Sequence, residues 1–148
     1  MSRQIEMEWP ELKTKVVATL ADDKNPKLCD VLWKNLPIES IQSHAGCSGQ
    51  MMYAFHNIVD FTKPEHVEDH TAPKYWGKVP WPVGVIRFDA QGFQNIMVMW
   101  GKRTEPGKLA AVGFVREADL GKLGEVGEKV LEGMFTGQYY KVVIRKKD

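Results

Sequence analysis

The sequence predicts a mainly β protein with two helices, built as a closed antiparallel β-barrel whose two open ends are capped by α-helices. Three observations predict it. Short apolar runs bounded by Gly, Pro, Asp or Asn recur along the chain, as strands do. Two longer stretches carry helical spacing instead, and they fall at separate points among the strands. Seven or eight strands with two isolated helices suit closure, because a closed barrel has no edge strands and the helices can cover its mouths.

The elements follow in order. Ile5 to Leu20 mixes alternation with β-branched Val16, Val17 and Thr19, giving one or two strands, of which Lys13 to Leu20 is the better defined. Asn25-Pro26 offers an N-cap followed by proline at the first helical position, and Leu28, Val31, Leu32 and Leu36 keep helical spacing until Pro37. Ile38 to Phe55 reads as extended, with Gly46 and Gly49 bending or breaking it, so that Cys47 is expected within a strand. His56 to Trp81 is rich in proline and lacks periodicity, which predicts a long loop. Val83 to Phe88, Asn95 to Trp100 and Leu109 to Arg116 predict three successive strands in a meander. Asp119 is placed to cap a second helix with Leu120, Leu123, Val130, Leu131 and Met134 on one apolar face, ended by Gly133 or Gly137. Tyr139 to Ile144 then forms a last strand.

The chain has 148 residues, enough for one domain over positions 1–148 that buries roughly 70% of its unfolded surface. Hydrophobic residues make up 43% and charged residues 26%, which excludes a disordered or collagen-like chain. Twenty Lys and Arg against nineteen Asp and Glu leave a net charge of +1, so no electrostatic footprint for nucleic acid is present. Met1 to Leu12 lacks the apolar run and cleavage site of a signal peptide, and no segment approaches the ~20 apolar residues of a membrane span. A cytoplasmic protein without a membrane partner is the expectation, with Cys29 and Cys47 reduced.

Six stretches of residues carry a family resemblance. Asn25-Pro26-Lys27-Leu28-Cys29-Asp30-Val31-Leu32 and Phe114-Val115-Arg116-Glu117-Ala118-Asp119-Leu120-Gly121-Lys122-Leu123 resemble the lead-ins to the first and second helices of the cyclophilin-like superfamily. Leu36-Pro37-Ile38-Glu39-Ser40, His44-Ala45-Gly46-Cys47-Ser48-Gly49-Gln50, Pro82-Val83-Gly84 and Leu123-Gly124-Glu125-Val126-Gly127 resemble, in the right order, a bacterial branch of small cyclophilin-like proteins. In prolyl isomerases an arginine follows the histidine of the strand that corresponds to Ser43 to Met52 and engages the proline amide. Here no arginine follows His44, which argues against isomerase activity. The same branch includes the barrel domain of cucumopine synthase, so the resemblance implies, as one reaction class, condensation of histidine with a 2-oxo acid without a redox cofactor.

The residues themselves point to a small carboxylate or amide as ligand. His44 is the candidate catalytic base, with Ser48 and Gln50 as hydrogen-bonding groups between two glycines, against the alternative that His44 is a hydrogen-bonded barrel histidine. Tyr53, Tyr75, Trp76, Trp81 and Trp100 are candidate pocket walls, within an aromatic and methionine-rich group that includes Met51, Met52, Met97 and Met99 and must also supply core. Arg87 and Arg103 are candidate carboxylate anchors, or solvated surface cations. Cys47 reads as an inert thiol rather than a nucleophile. His66 and His70 lack the order of a zinc helix, so no metal is assigned. No phosphate loop, dinucleotide fingerprint or hydrolase elbow is present, so no cofactor is implied. The expected function is general acid/base chemistry at a carbonyl or imine. The alternative is a non-catalytic module that holds a peptide or protein in the same groove, and self-association into a homo-oligomer is left open.

Overall fold

A computed structural model describes residues 1–56, 82–88, 95–103 and 111–148. The strands are β1 (Gln4–Trp9), β2 (Thr14–Leu20), β3 (Ile38–His44), β4 (Gly49–Phe55), β5 (Val85–Phe88), β6 (Asn95–Arg103), β7 (Ala111–Val115) and β8 (Tyr140–Lys147). All neighbouring pairs are antiparallel, and they close into a barrel in the order β1-β2-β7-β5-β6-β4-β3-β8, so β5 lies between β6 and β7 and the expected meander of these three strands is not formed. The expected loop over 56–81 lies outside the described residues, apart from His56 at its start.

The first predicted strand region resolves into two. Lys13, in the left-handed conformation at φ 51°, turns β1 into β2 after a 3-10 turn at Pro10–Leu12. Ile38 to Phe55 is broken rather than bent: Ala45 donates its N–H to Met51 O at 2.9 Å, and the chain reverses over Gly46 to Ser48. Cys47 therefore sits in an exposed turn, not in a strand. The paired glycines that suggested a kink supply the reversal instead, with Gly49 at φ 105°.

Helix α1 (Pro26–Lys34) begins with proline at its first position, as the sequence predicts. Asn25 stands at the N-cap but makes no side-chain cap bond. Its Nδ2 instead donates to Ala111 O at 2.7 Å, tying the helix to the end of β7. Leu28, Cys29 and Leu32 are buried in the core, so α1 closes one mouth of the barrel. Cys29 donates its thiol to Val112 O at 3.4 Å, and burial, with the nearby Asp22 carboxylate, pushes it up to about 12. No thiolate forms there near neutral pH.

Helix α2 (Leu120–Thr136) covers the opposite mouth through Leu123, Val126, Gly127 and Val130. Gly137, at φ 77°, ends it by donating to Gly133 O at 2.8 Å. Met134 was expected on the apolar face but is 53% exposed. The buried stripe instead runs through Val126, Val130 and Gly133, and a Cβ on Gly133 would collide with Gln138 O, so the close approach falls beside Met134 rather than on it.

Asp119, at the N-cap of α2, is 1% exposed and makes no cap bond to its own helix. Its carboxylate accepts from Val17 N at 3.0 Å, Arg116 Nε at 2.5 Å and Lys122 Nζ at 3.1 Å. Val17 lies beyond the last rung between β2 and β7, so this carboxylate satisfies a strand N–H that the barrel leaves over. Burial alone would push the Asp119 carboxyl up, but Arg116, the Val17 N–H and Lys122 outweigh it and hold the group down at about 2.

A carboxyl held below its unfolded value of roughly 3.9 stabilises the fold fully above that pH, and the contribution is lost as pH falls through the folded value. Asp119→Asn is therefore expected to unfold more easily by about 2 kcal/mol at neutral pH. The gap from the parent protein should narrow as pH falls below about 4 in denaturant titrations. A gap that stays constant down to low pH would show that the charge is not what matters.

Candidate functional site

Strand alternation sends each candidate residue to one side of the barrel wall. His44 pairs with Met52, which is fully buried in the core, so the imidazole points inward. Its Nδ1 lies 2.8 Å from Ala45 O, and Nε2 accepts from Trp100 Nε1 at 3.1 Å. These two bonds fix the neutral tautomer with its proton on Nδ1. The rings meet edge-on with centroids 5.8 Å apart, and Trp100 packs beneath α2, where Gly127 leaves room for the indole that a Cβ would fill.

The sequence expectation groups His44 with Ser48 and Gln50 around a ligand, and in the structure Gln50 and Ser48 have neighbours of their own. Gln50 Oε1 accepts from Lys102 N at 2.7 Å and lies over Gly101, so the amide fastens β4 to β6. Ser48 lies in the turn, with Oγ 4.0 Å from Cys47 Sγ. A second inward pair was missed: Gln42 Oε1 accepts from Trp9 Nε1 at 2.9 Å, both buried. Two polar residues of β3 thus each meet an indole N–H inside the barrel, a pairing no single-strand pattern reveals.

The outer face of the wall is different. Tyr53 of β4 pairs with Met97 of β6, Met97 with Arg87 of β5, and Arg87 with Ala111 of β7. One residue row therefore crosses four strands on the outside. Beside it Met51 pairs with Met99 and Val85 with Phe114. Met51, Val85, Met99 and Ala111 form an apolar cluster separate from the main core, with Met97 and Phe114 packed on it. Met51 is 1% exposed and Met99 3%, although both face away from the barrel interior.

Backbone irregularity builds this face. Between Ile86 and Arg87 the register with β7 slips, so Gly113 opposes Ile86 while Ala111 opposes Arg87. The bulge lets Ala111 and Phe114, three residues apart, share the outer face, which a regular strand forbids. A second slip lies between Gly49 and Met51 in the same wall. Arg87 emerges half-buried from the apolar row. A guanidinium there is partly removed from water, which strengthens its attraction for a carboxylate.

Tyr75, Trp76, Trp81 and the side chain of Arg103 lie outside the described residues, as do His66 and His70. Among the described residues no group of three or more His, Cys, Asp or Glu side chains could hold a metal ion. No described helix is long and apolar enough to cross a membrane. A cleft of about 600 Å3 opens elsewhere, lined by Glu8, Pro10, Lys13, Thr14, Lys15 and Lys122. Its Lys15 pairs with Glu6 and Glu8 and its Lys122 with Asp119, so part of its charge is spent within the fold.

The chain is similar to McbB, seen in a solved structure in complex with tryptophan, with a TM-score of 0.82 and 32% identity over 97% of this chain. It spans 44% of the McbB chain. The solution structure of the hypothetical protein AF2241 from Archaeoglobus fulgidus shares the fold, at a TM-score of 0.60 and 11% identity, over 99% of this chain and 95% of that one. The closed eight-strand barrel and the McbB likeness fit a cyclophilin-like barrel. No protein-family model and no curated protein matches the sequence.

Because both nitrogens of His44 are engaged in a dry interior, Trp100→Phe strands Nε2 without a donor and is expected to cost about 1–3 kcal/mol of stability. His44→Ala should be at least as costly, and the double variant should cost less than the two single variants added together. Additive losses in chemical denaturation would show that the two side chains are not energetically coupled.

Proposed function

We propose that this protein binds an aromatic amino acid on the outer face of its β4-β6-β5-β7 wall and condenses the amine with a carbonyl compound, without a cofactor. The observation that carries the reading is the row from Tyr53 through Met97 and Arg87 to Ala111, in which one half-buried guanidinium stands in a largely apolar row. Such a row suits a ligand with a carboxylate at one end and a flat apolar group at the other. The guanidinium takes the carboxylate through two parallel hydrogen bonds. Methionines, unbranched and polarisable, adapt to an aromatic ring.

The tryptophan in the McbB complex is a ligand of that kind, and the McbB likeness extends over nearly the whole of this chain. Resemblance to the cucumopine synthase barrel supports the reaction class, since that enzyme also takes an amino acid with a heteroaromatic side chain. Addition of the amine to the carbonyl carbon and loss of one water gives an imine, which the nucleophilic ring can then attack. Among the described residues of the row, Tyr53 supplies a hydroxyl that can donate a hydrogen bond to the carbonyl oxygen as charge develops there.

In this reading His44 holds the barrel mouth rather than transferring protons, because its Nε2 lone pair is already taken by Trp100. His44→Ala should lower stability yet leave tryptophan affinity within about threefold, the range expected for a residue outside the contact surface. Arg87→Met, in contrast, should weaken L-tryptophan binding by about tenfold or more, the worth of a charge-assisted bond, and weaken tryptophan amide far less. Calorimetric titration of both variants against both ligands checks this. Undiminished binding by Arg87→Met would overturn the site. Mass spectrometry of the protein with tryptophan and a 2-oxo acid should find a product equal to the sum of the two less one water, and its absence would leave a binding protein without that reaction.

A further inference from the structure

Asn95 opens β6 directly opposite Phe55, with the same strand parity as Met97 and Met99, so it belongs to the outer face of the wall. It is 7% exposed, and its Oδ1 is buried with no hydrogen-bond partner among the described residues. A buried amide oxygen left in this state carries the full cost of its lost hydration. Such a cost is recovered when a donor arrives, and an acceptor-only oxygen selects an N–H or O–H group. We infer that Asn95 is the residue that recognises the α-amino group of the ligand, and so makes the outer-face site selective for α-amino acids over simple aromatic carboxylates.

The placement fits that chemistry. Asn95 lies two residues before Met97, and Met97 pairs with Arg87, so Asn95 and Arg87 are diagonal neighbours across β5 and β6. Diagonal positions on one sheet face stand roughly 7–8 Å apart, within reach of a long arginine and a short asparagine acting on one small molecule. An α-amino acid carries its carboxylate and its amine on a single carbon. With the carboxylate on Arg87 and the amine on Asn95 Oδ1, the third substituent is left to the methionines of the same face. The amide is held at a fixed position by β6, so it also orients the amine lone pair once the ammonium has given up its proton.

This inference rests on the amino-acid reading of the outer face, and one pair of ligands separates the two. L-Tryptophan and indole-3-propionate share ring and carboxylate, and only the first has the amine. The parent protein is expected to bind tryptophan about tenfold more tightly, as a buried charge-assisted hydrogen bond implies. In Asn95→Leu that preference should vanish, with tryptophan falling to the level of indole-3-propionate and the latter unchanged within about twofold. Asn95→Ala, which adds no bulk, should behave alike. Removing a buried acceptor that has no partner should not lower the melting temperature of either variant. Equal affinity of the parent protein for both ligands, or a preference retained in both variants, would overturn the role of Asn95 alone. Equal weakening of both ligands in the variants would reduce Asn95 to a wall residue. Failure of the parent protein to bind either ligand would overturn the outer-face site and this inference with it.

Discussion

A closed barrel wall has two faces that share one backbone, and a shift of one residue moves a side chain from one to the other. In β4, Met52 and Ala54 enter the core while Met51, Tyr53 and Phe55 face out. In β6, Ile96 and Val98 enter while Met97 and Met99 face out, and in β5 the inward pair Ile86 and Phe88 flanks Arg87. The interior of this eight-strand wall is filled by side chains from every strand, as expected for a barrel of that size. The outer face of the same wall carries the row centred on Arg87.

Closing the ends sets a second demand, because each mouth exposes backbone groups that the ladders no longer pair. At the α1 mouth Asn25 gives up its capping role to hold Ala111 O, and the Cys29 thiol reaches Val112 O. Arg3 fastens the chain there through Asp22 and Asp30, whose carboxylates accept at 2.5 Å and 2.8 Å. At the α2 mouth Asp119 takes the spare N–H of Val17, and the His44–Trp100 pair fills the space under Gly127. Polar residues that look like caps in a linear reading are used to finish the wall.

That reuse explains what the sequence disclosed and what it hid. Periodicity and punctuation were enough for the strands, both helices and closure, since those depend on local alternation and on Pro26 and Gly137. Arg87, Tyr53 and Trp100 were singled out by residue type, but their faces were not, because facing depends on register. The slip at Ile86 and Arg87 has no signature in β5 itself: Gly113, on the partner strand, is the one hint. His44 drew attention through its glycine neighbours, yet its two bonds come from its own turn and from a tryptophan 56 positions away. Asn95 carries no signal of its own in the sequence, as an asparagine at a strand start reads as turn chemistry.

The bulge in β5 and β7 shapes the whole outer face. Without it Ala111 and Phe114 would lie on opposite faces, and Arg87 would not stand beside a small side chain while Val85 met an aromatic one. The aromatic side chain, Phe114, packs on the apolar cluster of Met51, Val85, Met99 and Ala111. Bulges re-aim side chains at a cost in ladder bonds, and such a cost is sustained where the re-aimed groups have work to do. The register slips at Ile86/Arg87 and at Gly49/Met51 both fall in the wall that carries the row. The fold alone would accept a regular wall in their place, since barrels host many unrelated sites. The irregular backbone, the guanidinium amid methionines and the unsatisfied Asn95 oxygen are three independent departures from the simplest stable barrel, and all three converge on the same outer face.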